Sequence, residues 1–258
     1  MLLQFDGKAL DVETTGAGPD LVLLHSLLSD RTAFHRVAPE LAHSFRVHLV
    51  NLPGYGESRG DCASIADYAD LVSGIFGALK TAPGTAVLGN GFGGFVALAA
   101  AIRHGDRFGP LVIADSLASF PPQAKAPFRA MAAKVRASGM SAVLDAAVLR
   151  MFPEAFIARH PDIVAGRKAA LANADPECFA RACLALAEVD FRPDVGKIRN
   201  RTLVMAGALD QATPAALARE LADRISGARF REIPDCGHCP QIEKPEVFVG
   251  AVREFLAC

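Results

Sequence analysis

The chain has 258 residues, 51% of them hydrophobic and 21% charged, with a formal net charge of −1. That length suffices for one large core, or a core with a small inserted domain, and the charge excludes the electrostatic footprint of a nucleic-acid binder. The start, MLLQFDGKALDVET, lacks a basic segment followed by a sustained apolar run, so no secretory leader is expected.

In chain order, the first residues read as an antiparallel hairpin turned at Asp6-Gly7. Apolar runs then recur at 21–25, 45–53, 85–90, 110–116, 202–210 and 228–234. Several are apolar on both faces, as strands of a parallel sheet covered on both sides must be. Between them, 64–80, 92–104 and 214–225 read as helices, with Ser64 and Thr213 as N-caps and Pro214 at the first helical position. A last helix runs from Pro245 to about Leu256. The alternation predicts a doubly wound, mostly parallel α/β sheet. Residues 81–102 carry no charge and would be long enough to span a membrane. Their Pro83, Asn90 and clustered glycines instead predict a buried strand, turn and helix.

The rhythm breaks from about Phe120 to Arg192, where no strand is evident. Prolines punctuate an alanine- and arginine-rich stretch that reads as about four short helices. A helical insertion after a strand's C-terminal end would sit over the ligand-binding edge of the sheet. The division is therefore a core of 1–117 and 193–258 with a helical cap over 118–192.

Six cysteines (Cys62, Cys178, Cys183, Cys236, Cys239 and Cys258) show no framework spacing, so a reducing, cytoplasmic setting is expected. Cys236-Gly237-His238-Cys239 resembles a metal clip, but no second ligand pair accompanies it, and no metal or other cofactor is expected.

Candidate chemistry falls at strand C-terminal ends. LLHSLLSD (23–30) ends a strand in His25-Ser26 and a loop whose N–H groups can face an anion; a plain connection is the bland reading. GNGFGG (89–94) has the glycine spacing of a strand–turn–helix nucleophile elbow, yet its central residue is Gly91. Glycine relieves the strain of φ > 0 there and removes the attacking atom. The same glycines satisfy a dinucleotide-binding spacing, but lie too far along the chain for the first βα unit. Asp210 follows one strand and His238 another. Together they form a base, because a carboxylate on one imidazole nitrogen leaves the other basic.

With these motifs, together with NLPGYGES (51–58), AGALDQATP (206–214) and CGHCPQIEKPEVF (236–248), the sequence resembles the α/β-hydrolase superfamily over essentially its whole length. Within it, the resemblance is to capped lactonases and esterases of the 3-oxoadipate enol-lactonase type. It implies an Asp210–His238 pair beneath the cap, with an oxyanion hole at the backbone N–H of Phe92 and of Leu27 or Ser26. It also places the nucleophile at Gly91, where Ser–His–Asp acyl transfer cannot be carried over.

Ser26, Ser116 and Cys236 are the side chains near enough in the pattern to replace that serine, and structural roles suit them better. Asp115 is a secondary acid. Three readings remain: an enzyme that uses the His238 base without a serine at the elbow, a non-catalytic ligand binder, and a hydrolase whose serine was replaced. The expected partner is a small, mostly apolar carbonyl compound of the ester or lactone class, with neither nucleic acid nor membrane, and a homodimer stays open. His25, Asn90, Phe120 and Phe128 are expected to bind it. Met131, Phe152, Phe156 and Phe179 are further lining, and Arg129, Arg150 and Arg181 are candidates for an acid group.

Overall fold

The computed structural model describes residues 1–257, so Cys258 lies outside the described residues. Eight strands form one sheet: β1 (Leu2–Phe5), β2 (Lys8–Thr15), β3 (Asp20–Leu24), β4 (Arg46–Val50), β5 (Ala86–Asn90), β6 (Leu111–Ala114), β7 (Thr202–Gly207) and β8 (Arg229–Ile233), in the spatial order β1-β2-β4-β3-β5-β6-β7-β8. The β1–β2 hairpin turns at Asp6 and Gly7, both at positive φ, and β2 joins β4 antiparallel. Every other pairing is parallel. β3, β5, β6 and β7 are buried at every residue, which is why their sequences show no polar alternation. β8, on the far edge, is mostly exposed and alternates more.

Helices cover both faces. On one side α1 (Ala38–Ala42) and α11 (Pro245–Leu256) set Leu41, Phe248, Val252 and Phe255 against β3, β4 and β7. On the other pack α2 (Ile65–Leu79), α3 (Phe92–His104) and α9 (Ala215–Asp223). α2 starts at Ser64 in a reciprocal cap: the Ser64 hydroxyl accepts from the Asp67 N–H, and the Asp67 carboxylate accepts from the Ser64 N–H. α9 starts one residue later than its sequence implies and lacks a side-chain cap, because the Thr213 hydroxyl is drawn to Asp210 instead. α1, a five-residue helix, has too short a period to show in the sequence.

Between β6 and β7 the chain forms α4 (Pro122–Ser138), α5 (Leu144–Met151), α6 (Glu154–Arg159), α7 (Pro161–Ala172) and α8 (Pro176–Glu188). That is five α-helices rather than about four: α5 starts at Leu144 after a short 3-10 turn, with no proline to mark the break, while Pro127 falls within α4 without ending it. No strand of the sheet lies in this segment among the described residues. A four-residue helix, α10 (Pro240–Glu243), follows β8. No helix of the described residues is long and apolar enough to cross a membrane, and the uncharged 81–102 stretch is β5, a turn and most of α3.

The turn between β5 and α3 depends on glycine for two reasons. At Gly89, Gly93 and Gly94 the obstacle is space: a Cβ would stand 2.2 Å from Gly93 O, 2.1 Å from Leu24 O and 2.1 Å from Ser116 Oγ respectively. At Gly91 the backbone itself is unusual, with φ 52° and ψ −118°, which strains any L side chain.

Candidate active site

All the chemistry-bearing loops gather at the C-terminal edge of the parallel strands. Gly91 follows β5, Ser26 follows β3, Asp115 follows β6, Asp210 follows β7 and His238 follows β8. His238 Nδ1 lies 2.8 Å from Asp210 Oδ2. Asp210 Oδ1 also accepts from the N–H groups of Ala212 (2.7 Å) and Thr213 (3.1 Å), and Oδ2 from the Thr213 hydroxyl. Burial alone would raise the Asp210 carboxyl. The facing His238 charge and these hydrogen bonds outweigh it and hold the group below the usual carboxylate range. An ionised Asp210 accepts from Nδ1–H, so His238 presents its lone pair on Nε2.

Nε2 faces the turn. A Cβ on Gly91 would stand 2.7 Å from it and 2.5 Å from Ser26 Oγ. Ser26 Oγ is itself 3.4 Å from Nε2 and buried. Leu27 and Phe92 line the same cavity, and neither backbone N–H has an acceptor among the described residues. Phe92 opens α3, so its N–H also carries the positive end of that helix.

Asp115 lies beneath, accepting from Gly207 N–H at 2.9 Å and Asn90 Nδ2 at 3.2 Å. Burial, then the Asp210 charge, push its carboxyl well above the ordinary value. It braces the loops after β5 and β7 from below. Asp115, Asp210 and His238 are the described groups whose ligand atoms converge, within 4.8 Å of one another. The hydrogen-bond network accounts for their approach.

Several expected residues have other work. His25 does not reach the cavity. Its Nδ1–H donates to Ser26 O (2.8 Å), its Nε2 accepts from Leu52 N–H (3.0 Å), and burial lowers it to about 4, so it is a fixed neutral tautomer. Asn90 is saturated by Asp115, His238 O and Gln241 and lies below the turn. Ser116 donates to Gly91 O at 2.9 Å and braces the turn. Cys236 is buried, with a thiol raised by that burial. Arg129 pairs with Glu188, and Arg181 with Glu177 and Asp61, all away from the site. Phe179 is wholly buried and Phe156 stacks on Phe152, neither lining the cavity, while Phe152 lines a larger cleft next to it.

Phe120, Phe128, Met131 and Arg150 do line it. Phe95 stacks on Phe120, and Phe120 meets Phe128 edge-on, with centroids 5.1 and 4.9 Å apart. These rings leave only about 30 Å³ beside His238, room for one or two waters. The cavity is thus smaller than a small-molecule substrate requires. Next to it, sharing Arg150 and His238, lies a cleft of about 630 Å³ between α5, α6 and the loops after β7 and β8. Arg150 sits over the Phe128 ring, 5.5 Å from its centroid, and has no carboxylate partner among the described residues.

Residues that sequence reasoning missed include Tyr55 and Thr213. The Tyr55 hydroxyl donates to Leu27 O and its ring meets His25 edge-on, so NLPGYGES clamps the Ser26–Leu27 loop.

This arrangement has counterparts. The α/β-hydrolase family profile matches residues 21–251. The chain belongs to that family. A pimeloyl-[acyl-carrier protein] methyl ester esterase of Chromobacterium violaceum is 32% identical over 255 residues, covering 96% of this chain and 98% of that protein. Among solved structures, the enol-lactonase from Burkholderia xenovorans superposes with a TM-score of 0.93 at 29% identity, covering both chains fully. A thermophilic esterase from Thermogutta terrifontis, solved with malate bound, reaches 0.91 at 30% identity, covering 100% of this chain and 97% of that one. The α/β-hydrolase fold with a lactonase or esterase cast, expected from the motifs, is the one these relatives share.

Proposed function

We propose that this protein hydrolyses a small carboxylic ester or lactone, using the Asp210–His238 pair as general base with no nucleophile at the elbow. The observation that carries the reading is the 2.8 Å Asp210–His238 bond, with Nε2 left to the cavity. A pocket released from chemistry has no physical need for a buried, fourfold-bonded carboxylate orienting that ring. The ester and lactone chemistry named for the relatives is consistent with it.

In this reading Nε2 takes a proton from the attacking hydroxyl. The Leu27 and Phe92 N–H groups hold the carbonyl oxygen as it becomes negative. Residues 118–192 act as a cap that closes over the substrate and excludes water. Arg150, a half-buried cation with no carboxylate partner among the described residues, favours substrates carrying a carboxylate a few bonds from the scissile carbonyl. Burial lowers Arg150 from its usual value, and a bound carboxylate would offset that penalty.

The test is turnover of short-chain p-nitrophenyl esters, small lactones and half-esters of dicarboxylic acids by the protein and by His238→Ala. A loss on the order of 10³-fold or more is expected in the variant. No turnover by the unaltered protein on any of them, with ligand-induced thermal stabilisation intact, would instead establish the binder reading.

A further inference from the structure

We infer that Ser26, on the loop after β3, is the nucleophile, so the triad is Ser26–His238–Asp210 with its hydroxyl moved from the elbow to the facing loop. The inference rests on the hydrolase reading above and adds the atom that attacks.

Three observations carry it. First, Ser26 Oγ is within 3.4 Å of His238 Nε2, the nitrogen left unprotonated by Asp210. Nucleophile–base contacts are commonly this loose before substrate binds, and tighten in the reacting complex. Second, Ser26 Oγ and Cβ lie 2.5 and 3.0 Å from where a Gly91 Cβ would stand. The serine hydroxyl on one loop thus occupies the space that a side chain on the other would claim. A side chain at 91 and the present Ser26 rotamer exclude each other, so the glycine of the elbow and the serine opposite form one arrangement. Third, the alternatives are engaged. Ser116 donates to Gly91 O, Thr213 to Asp210, and the Cys236 thiol is buried against Gly237 O.

The loop is also held in place by buried hydrogen bonds. His25 bonds the Ser26 carbonyl and Tyr55 the Leu27 carbonyl, fixing the peptides on both sides of Leu27. Leu27 N–H, directly after the nucleophile, is free for the oxyanion, just as Phe92 N–H follows the elbow position.

Ser26 Oγ forms a bond to the carbonyl carbon while its proton passes to Nε2 and the carbonyl π pair moves onto oxygen. The oxyanion collapses, the C–O bond to the leaving group breaks, and the imidazolium proton goes to the departing alkoxide. Water then attacks the acyl-Ser26 ester, giving one proton to Nε2. The acyl–Oγ bond breaks and that proton returns to Oγ, so ester and water become acid and alcohol.

The experiment is labelling of the intact protein with a fluorophosphonate, followed by peptide mass mapping, beside ester turnover by Ser26→Ala and His238→Ala. Expected is one phosphonyl group per chain on the peptide holding Ser26, absent in both variants, and a fall on the order of 10³-fold in Ser26→Ala turnover. Mapping on the unaltered protein does not depend on any variant folding. Label on another residue, or none, overturns the assignment. So does full turnover by Ser26→Ala when His238→Ala is dead: water is then the nucleophile, and the hydrolase reading survives. If no ester is turned over while Ser26 is labelled, the nucleophile stands and the substrate class falls.

Discussion

Among the described residues two buried Asp–His pairs have equal length, and only one leaves a ring nitrogen facing a cavity. At the N-terminal edge of the sheet, His48 Nε2 lies 2.8 Å from Asp20 Oδ1. At the C-terminal edge, His238 Nδ1 lies 2.8 Å from Asp210 Oδ2. The difference is what occupies the other nitrogen. His48 Nδ1 is 2.9 Å from the Thr14 hydroxyl, so the chain uses both ring atoms, and Asp20 is further bound by Arg46 at 2.6 and 3.0 Å. His238 leaves Nε2 to a cavity and one loosely held serine. A saturated pair braces strands; a pair with one nitrogen facing a cavity is a base. Pair distance alone does not tell them apart.

The largest effect that could break this comparison comes from the carboxylates. Asp210→Asn should lower kcat on the order of 10³- to 10⁴-fold, because an amide no longer fixes the tautomer with Nε2 unprotonated. Asp20→Asn should leave kcat within about threefold, as nothing in its network reaches the cavity. Steady-state kinetics on the two variants with one activated ester decide it. Equal losses would mean that the N-terminal pair is coupled to the site and that the distinction is false.

How far such a distinction could be read beforehand depends on how far apart the partners lie in sequence. β3, β5 and β7 announce themselves as unbroken apolar runs, and α3 has the bounds its glycines and apolar face imply. Asp210 and His238 are legible because each follows a strand in an ordered set of motifs. The Ser26–His238 contact spans 212 positions and leaves no local mark. His25 and Asn90 look like ligand groups because they end strands, but their partners Leu52 and Gln241 come from remote loops. Arg129, Arg150 and Arg181 share one alanine-rich context. Only its place over the Phe128 ring, in the lining of the cavity, separates the half-buried Arg150 from the two in surface ion pairs.

The next effect concerns acid. Hydrogen bonds from Arg46, His48 and the Ala82 N–H overcome burial, which alone would raise Asp20, and hold its carboxyl at about 2 against a usual 3.8. Its folded value is depressed, so its stabilisation is complete above about pH 4 and fades as pH falls towards 2. His48 acts in the same direction at milder acidity: burial lowers it despite Asp20, so the unfolded chain gains a proton first as pH falls below 6.5. Unfolding free energies from denaturant titrations of the protein and Asp20→Asn should differ by about 2 kcal/mol near pH 6 and converge towards pH 2. A gap that persists at pH 2 would show that Asp20 acts through packing rather than charge.

The smallest effect tests the hydroxyls that complete each pair. Thr213 donates to Asp210 Oδ2, and its Oγ1 is 3.2 Å from His238 Nδ1, so it steers the carboxylate onto the ring. Thr213→Val keeps the shape and the backbone N–H bond to Oδ1 but removes that steering. Losing one hydrogen bond to a buried carboxylate is worth about 1.5–3 kcal/mol when it is complete. The Ala212 and Thr213 N–H groups keep Asp210 partly in place, so kcat should fall roughly tenfold, the lower end of that range. Thr14→Val has a different consequence. Its hydroxyl serves only His48 Nδ1, on a strand where valine is well accommodated. The loss should be about 1 kcal/mol or less of stability, with kcat unchanged. Paired melting curves and rates on these two variants therefore read the division of labour at one hydroxyl each. If Thr14→Val slowed turnover as much as Thr213→Val, the brace and the base would have to be one connected network.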